Sequence, residues 1–188
     1  WTGYLWWPLK FRQLCWAHLK RHFQFFAESG GEAERIGLKL LEETKLLFKW
    51  WHRVRDGTLK RSTFQTYVKP LRKRVADLLR EGTICGHHKI EGMCREILKL
   101  EPALWTFVRL AGVSPTNNAA ERAIRSSVIW RKICFGTHSE AGSRFVERIM
   151  TVVCTLKQQE RNIVDYVKIC VLATMTGDRA PSLLPCAN

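Results

Sequence analysis

The sequence predicts a mainly α-helical protein. Through the middle of the chain, apolar residues recur at three- and four-residue steps, clearest in the runs 38–51 and 64–78. This spacing places them on one face of an α-helix. Turn signals rich in Gly, Pro and Asp divide the periodic stretch into several helices in series. The 188 residues, 46% of them hydrophobic, suffice for one domain or for a domain with a sizeable insertion.

The first part of the chain is predicted to hold one strand and a run of helices. Residues 4–18 are interpreted as an aromatic segment followed by a short strand that contains Leu9, Phe11 and Leu14 to Ala17. Helices are expected from Leu19 to about Leu110, and Pro70 is expected to break or kink one of them. Their joints are predicted at Ser29-Gly30-Gly31, Asp56-Gly57-Thr58, Glu81-Gly82-Thr83 and Glu101-Pro102.

A polar break separates these helices from the rest of the chain. Gly112 to Pro115 forms the break, and residues 135–142 form a glycine-containing loop further on. Three more helices are predicted around this loop, from Asn118 to about Arg131, from Ser143 to about Glu160, and from Val164 to Met175 with its end at Gly177.

The charge balance points to a polyanionic partner. Lys and Arg number 31 against 17 Asp and Glu, a net charge of +14, which makes nucleic acid the leading candidate. No segment approaches ~18 unbroken apolar residues, so we expect no membrane span. The seven cysteines are scattered without a disulfide rhythm, as expected in a reducing cytoplasm. Because the first residue is Trp, we expect a processed product, a trimmed chain or a fragment.

The run TNNAAERAIRSSVIWRK, residues 116–132, places one acid, Glu121, in a basic frame. A carboxylate among cations suits a metal-assisted reaction on a phosphate backbone. The same pattern is also a capping box, with Asn118 as N-cap and Glu121 three residues later. Arg125 lies four residues on and could be a simple ion-pair partner. The residues alone leave these alternatives open.

Two separated runs give the chain a resemblance to the insertion sequence 66 transposases. The first is CWAH at residues 15–18, followed by Lys20, Arg21 and Phe23. The second joins NN at 117–118, AER at 120–122, RK at 131–132, GTHSEAGS at 136–143 and ER at 147–148. The two runs occur in the family's order with a helical segment between them, so the resemblance spans nearly the whole chain.

The resemblance implies an incomplete ribonuclease-H-like α/β core that carries a large all-helical insertion. In this scheme residues 1–18 are the last strand region of the core and residues 19–112 are the insertion. Residues 113–176 are the C-terminal helices of the core, one of which carries Glu121, and residues 177–188 are a tail.

The resemblance also implies a chemistry. Glu121 is similar to the last acid of a DDE triad, and would be a catalytic residue that binds Mg²⁺ during DNA strand cleavage and transfer. The two aspartates of such a triad would precede this chain, because none of its own four ends an apolar strand: Asp56, Asp77, Asp165 and Asp178. We therefore expect the chain alone to be inactive. The alternative is a non-catalytic basic helical module that binds nucleic acid.

Further residues and partners follow from the same resemblance. The expected DNA contacts, to transposon ends and target, are Arg122, Arg125, Arg131, Lys132 and Arg144. Residues expected to lie beside the acid and hold it in position, without binding the metal themselves, are Cys15, His18, Asn117 and Asn118. Other proteins of the element and a second copy of the chain are compatible partners, and the expected location is the bacterial cytoplasm at the nucleoid.

Two other patterns have competing interpretations. Cys15 and His18 could form half of a zinc site, which Cys85 and His87 or His88 would complete. Between Arg53 and Arg80 the chain is strongly basic, with a cluster at Lys69, Arg72, Lys73 and Arg74. This cluster is either an ordinary solvated face or a contact to a phosphate backbone.

Overall fold

The computed structural model describes residues 6–184, and over this range the protein is helical. Its α-helices are α1 (Trp16–Ala27), α2 (Gly31–Arg55), α3 (Arg61–Gly82), α4 (His88–Lys99), α5 (Thr106–Arg109), α6 (Asn118–Ile133), α7 (Glu140–Gln158) and α8 (Ile163–Thr176). Short 3-10 turns occupy Leu9–Phe11 and Glu101–Leu104. Residues 6–184 contain no β-strand, which confirms the mainly α prediction. The chain divides into two compact units, Trp1–Asn117 and Asn118–Asn188.

The predicted strand was wrong over the residues that the structure describes. Leu9–Phe11 is a 3-10 turn, and α1 begins at Trp16, in the middle of the CWAH segment. The buried residues Trp16, Leu19, Phe23 and Phe26 follow at steps of three and four, so the helical period already runs through this segment. Part of the predicted aromatic segment, residues 4 and 5, lies outside the described range.

The short extended stretch before α1 is held by the end of the first unit rather than by a neighbouring strand. The N–H of Leu14 donates to the carbonyl of Ala103 at 2.8 Å. The hydroxyl of Thr106 donates to the carbonyl of Arg12. These bonds satisfy the backbone that a sheet would otherwise pair.

The core of the first unit is built from α1 to α5 around large aromatic side chains. The rings of Trp16 and Trp105 pack with centroids 5.2 Å apart, and both side chains are buried. The indole N–H of Trp16 donates to the carbonyl of Leu104 at 2.8 Å. Phe64 and Phe107 are completely buried in the same cluster. Aromatic side chains therefore anchor this unit, as their size predicts.

The predicted joints between helices are confirmed. Gly30 and Gly31 both take positive φ, 74° and 58°, at the joint between α1 and α2, where Gly30 is the N-cap and Gly31 the first residue of α2. Pro70 lies inside α3 without ending it. Gly37 marks the crossing of α1 and α2, because a Cβ there would lie 2.2 Å from the backbone nitrogen of Ala27. The two helices approach this closely only because residue 37 has no side chain.

The second unit consists of α6, α7 and α8. Helix α7 begins at Glu140, three residues before its predicted start, because the Ser139 hydroxyl accepts from the N–H of Gly142 and caps the helix. Asn162 caps α8, which ends at Gly177 with φ 76°, as predicted. Among the described residues no helix has both the length and the apolar character that a membrane crossing requires.

Candidate metal and nucleic-acid site

Helix α6 carries the acid and most of the cations that the sequence singles out. Glu121 lies in its first turn, and Arg131 and Lys132 lie in its last turn. No residue of α6 is buried, so all of these side chains are open to solvent. A carboxylate at the start and cations at the end also complement the helix macrodipole. The charge order therefore stabilises the helix and at the same time leaves its charged groups accessible.

The cations are distributed unevenly around α6. At 100° per residue, Arg125 and Lys132 lie within about 40° and 20° of Glu121 around the axis. Arg122 and Arg131 lie about 100° and 80° away, on either side. Glu121, Arg125 and Lys132 thus share one face, along which about 16 Å separates the acid from the lysine. A polyanion on this face would meet the carboxylate and two cations together.

The capping box is compatible with the start of the helix. Helix α6 begins at Asn118, within one residue of the N-cap position that the capping box gives to Asn118. The macrodipole remains a structural reason for an acid in this turn.

Cys15 and Asn117, two of the residues expected to order the acid, contact each other within the first unit. The N–H of Asn117 donates to Cys15 Sγ at 3.3 Å. The N–H of Trp16 donates to the carbonyl of Pro115 at 2.9 Å. These bonds fasten the segment 115–117 to the start of α1. His18, in the first turn of α1, is exposed.

His22 lies one turn further along α1 and is half-buried. Burial is the main cause that lowers its pKa, and electrostatic interaction with His18 and Arg21 lowers it further. Its Nδ1 is buried and has no hydrogen-bond partner among residues 6–184. The neutral imidazole is therefore the favoured form in this helix.

Arg144 is engaged within its own helix. Its guanidinium donates to Glu140 Oε1 through Nε at 3.2 Å and through Nη2 at 2.5 Å. Both side chains are largely exposed, so the pair is weak and can be exchanged for a phosphate. Sequence reasoning missed this contact, although the four-residue spacing in α7 signals it.

The aspartates take part in local structure. Asp56 pairs with Arg55, and Asp77 pairs with Arg80. Asp178 accepts a hydrogen bond from the Thr176 hydroxyl at 2.6 Å. Within described residues 118–184, no three carboxylates come close enough to share an ion.

Glu121 fits Mg²⁺ as one ligand. Its carboxylate offers the hard oxygen that Mg²⁺ prefers, and it is exposed. The ion needs near-octahedral oxygen coordination, so a single carboxylate leaves most positions to water, phosphate or other acids. Helix α6 can therefore supply one ligand of a metal site but does not form a complete site by itself.

The structure supports only the first half of the zinc interpretation. Cys15 Sγ and a ring nitrogen of His18 lie within 4.8 Å of each other, but among the described residues neither Cys85 nor His87 or His88 joins them in one group of possible ligands. The ring of His87 instead packs edge-on against Phe25, with centroids 6.0 Å apart. Burial raises the pKa of Cys94, the nearby buried thiol, to about 12, which keeps it protonated.

Comparison with known proteins gives a family. The family model described as Transposase IS66 family matches residues 9–144, which extend from the first 3-10 turn through α6 to the start of α7. Neither the curated proteins nor the solved structures contain a significant match. The match covers well over half of the chain and includes the first run and the second run as far as GTHSEAGS, while the ER at 147–148 lies just beyond it. The chain therefore belongs to the transposase IS66 family.

Proposed function

We propose that this chain is the DNA-contacting, Glu121-bearing part of a transposase that cleaves and transfers DNA strands. Helix α6 carries the proposal, because one acid in its first turn shares a face with Arg125 and Lys132 and all three are solvent-exposed. Membership of the transposase IS66 family supports DNA as the partner. The net charge of +14 supports contact with a polyanion.

In this proposal Glu121 binds one Mg²⁺ through its carboxylate. The bound ion would polarise a phosphodiester oxygen and lower the pKa of an attacking water or 3′-hydroxyl. Arg125 and Lys132 would hold phosphates along the same face of α6, and Arg122, Arg131 and Arg144 would contact the backbone beside it. These contacts fix the position of the duplex and do not read its sequence.

The residues Cys15, His18, Asn117 and Asn118 have a positioning role in the proposal. The bond from Asn117 to Cys15 Sγ supports it, because it fixes the backbone that leads directly into the helix carrying Glu121. Such orienting contacts around a metal ligand commonly matter as much as the ligand's own chemistry.

The proposal includes a ribonuclease-H-like core to which the second unit contributes its helices. The exposed apolar side chains of α8 support it. Val164 and Met175 are 74% and 78% exposed, and Ile169, Val171 and Leu172 are about half exposed. Helices with this much apolar surface are typical of a layer that covers a sheet.

The chain alone is proposed to be inactive, because two-metal phosphoryl transfer needs several carboxylates around ions about 3.5 to 4 Å apart. Within residues 118–184 Glu121 has no such carboxylate group around it. Purified chain with Mg²⁺ should therefore neither nick nor join transposon-end DNA. Robust cleavage that Glu121→Gln abolishes would overturn this part of the proposal.

The DNA contact is tested by a salt titration of binding to duplex DNA. Removing Arg125 and Lys132 (R125Q/K132Q) should lower the slope of log affinity against log salt by about 1.8, because each phosphate contact contributes about 0.9. The control K157Q/K168Q removes the same charge from exposed positions on α7 and α8. Equal slopes for the two double variants would contradict a specific role for α6.

A non-catalytic nucleic-acid-binding module remains the second candidate. The lack of a three-carboxylate group within residues 118–184 favours it. Both candidates predict the salt dependence, but only the transposase predicts that divalent metal binding depends on Glu121.

A further inference from the structure

A basic groove lies in the first unit and includes part of the basic cluster of α3. It has a volume of about 500 Å³ and runs between α3 and the turn that follows α4. Its charged lining consists of Lys69, Arg72, Lys73, Arg80 and Glu101. Four cations thus face a single carboxylate.

The structure separates the basic cluster of α3 into engaged and available cations. Arg72 donates to both oxygens of Glu101, at 2.7 and 2.8 Å. Arg74 donates to both oxygens of Glu43 on α2, which raises the pKa of the arginine. The acids that pair with these two arginines therefore come from distant parts of the sequence.

Lys69 and Lys73 are the available pair. Both are exposed, and neither forms an ion pair with any residue in the described range 6–184. They lie four residues apart on α3, so about 6 Å of helix axis separates them and both project from one face. Arg80 extends the same face by two turns and is paired with Asp77.

The lining indicates what kind of ligand the groove suits. Pockets for small organic ligands are lined mainly by apolar and aromatic side chains with a few polar groups. Here only Ala76, Leu98 and Pro102 are apolar, and none of the lining residues is aromatic. Phosphate groups in a row match a line of cations better than a compact apolar molecule does.

We propose that this groove binds the phosphate backbone of duplex DNA through Lys69 and Lys73, in addition to the contact proposed for α6. The arginine held by Glu101 forms one wall of the groove and keeps its shape. The inference rests on the proposed function in one respect, since it takes DNA as the polyanion. It adds a second site on the helical insertion, where nothing in the sequence distinguished the lysines from the arginines beside them.

The test is DNA binding by the complete 188-residue chain across salt concentrations. The double variant K69Q/K73Q should lower the salt slope by about 1.8, so that raising salt from 50 to 200 mM weakens its binding about 12-fold less than that of the wild type. The matched control is K45Q/K49Q, which removes two exposed lysines at the same spacing on α2. The control should leave the slope near that of the wild type.

The outcomes separate this inference from the proposed function. If the wild type binds with a steep salt slope and only R125Q/K132Q reduces it, the groove inference is overturned and the α6 contact stands. If K69Q/K73Q reduces the slope while R125Q/K132Q does not, the groove inference stands and the α6 contact fails. Equal effects of K69Q/K73Q and K45Q/K49Q would also overturn it.

A competitor distinguishes DNA from a small phosphate ligand. Inorganic pyrophosphate, added at constant ionic strength, should displace DNA from the wild type and from K69Q/K73Q equally. Selective displacement from the wild type would identify a small-anion site instead and contradict the inference. The circular dichroism spectrum should be unchanged in K69Q/K73Q and in K45Q/K49Q, because all four lysines are exposed. If only K69Q/K73Q folds poorly, the salt titration is repeated with K69R/K73R. This variant keeps both charges and must retain the wild-type slope.

Discussion

The carboxylate of Glu101 joins Arg72 on α3 to the buried indole of Trp105. It accepts from Nε and Nη2 of Arg72 at 2.7 and 2.8 Å, and from Trp105 Nε1 at 2.7 Å. The Glu101 side chain is only 19% exposed. Glu101 thus forms an ion pair with Arg72 at the groove and also accepts the hydrogen bond of the Trp105 indole N–H at the edge of the aromatic core.

Glu101→Ala should destabilise the first unit by about 1–3 kcal/mol, because it leaves the Trp105 N–H without its acceptor. The measurement is chemical unfolding followed by tryptophan fluorescence. Glu96→Ala is the control, since it removes an exposed pair with Lys99 and should cost at most about 0.5 kcal/mol. A Glu101→Ala effect as small as the control would show that the network contributes little.

Alanine substitutions at Gly37 and Gly92 should shift stability in opposite directions. At Gly37 the new Cβ would meet the backbone of Ala27, so α1 and α2 must separate at a cost of about 1–3 kcal/mol or more. At Gly92, inside α4, no heavy atom lies within 4 Å of the added Cβ. Gly92→Ala should therefore stabilise by about 0.4–1 kcal/mol. Thermal unfolding of both variants checks this, and shifts of the same sign would contradict the packing at Gly37.

Acidification should destabilise the wild type more than it destabilises His22→Gln. The folded pKa of His22 lies below its ordinary value of 6.5, so the unfolded chain binds the proton more tightly. The stability that the neutral imidazole contributes is present above pH 6.5 and is lost as pH falls towards the folded pKa. Unfolding at pH 7.5 and at pH 5 measures the difference, and an identical pH response of the two proteins would exclude this role of His22.

Glu140→Gln should tighten DNA binding and increase the salt slope by up to about 0.9. The substitution releases Arg144 from its ion pair, so the guanidinium becomes free for a phosphate. Glu160→Gln adds the same net charge, but Glu160 forms no ion pair with a described residue. Fluorescence anisotropy with duplex DNA compares them, and the prediction fails if both variants gain equally.

The helices could largely be predicted because their determinants are local. The period of the apolar residues, the Gly30-Gly31 joint and the Gly177 end each depend on a few neighbouring residues. The start of α1 was missed because a short apolar run such as Leu14 to Ala17 fits a strand or a buried helix end equally well. The start of α7 was missed because the Ser139 cap depends on one hydroxyl.

Less of the candidate site could be predicted. The sequence located Glu121 and its cations on one helix, since their spacing is local. It did not separate Lys69 and Lys73 from Arg72 and Arg74, because the partners Glu101 and Glu43 come from other elements. Such pairing between distant segments follows from tertiary packing, which local spacing does not encode.

Binding of Mn²⁺ in place of Mg²⁺ to the complex of the chain with duplex DNA tests the role of Glu121 most directly. Electron paramagnetic resonance measures the free and bound ion. Glu121→Gln should weaken Mn²⁺ binding by roughly tenfold or more, as expected for a residue that contacts the metal. The control Glu147→Gln removes an exposed acid of α7 and should leave binding unchanged. Equal Mn²⁺ affinity of the wild type and Glu121→Gln would contradict the assignment of Glu121 as a metal ligand.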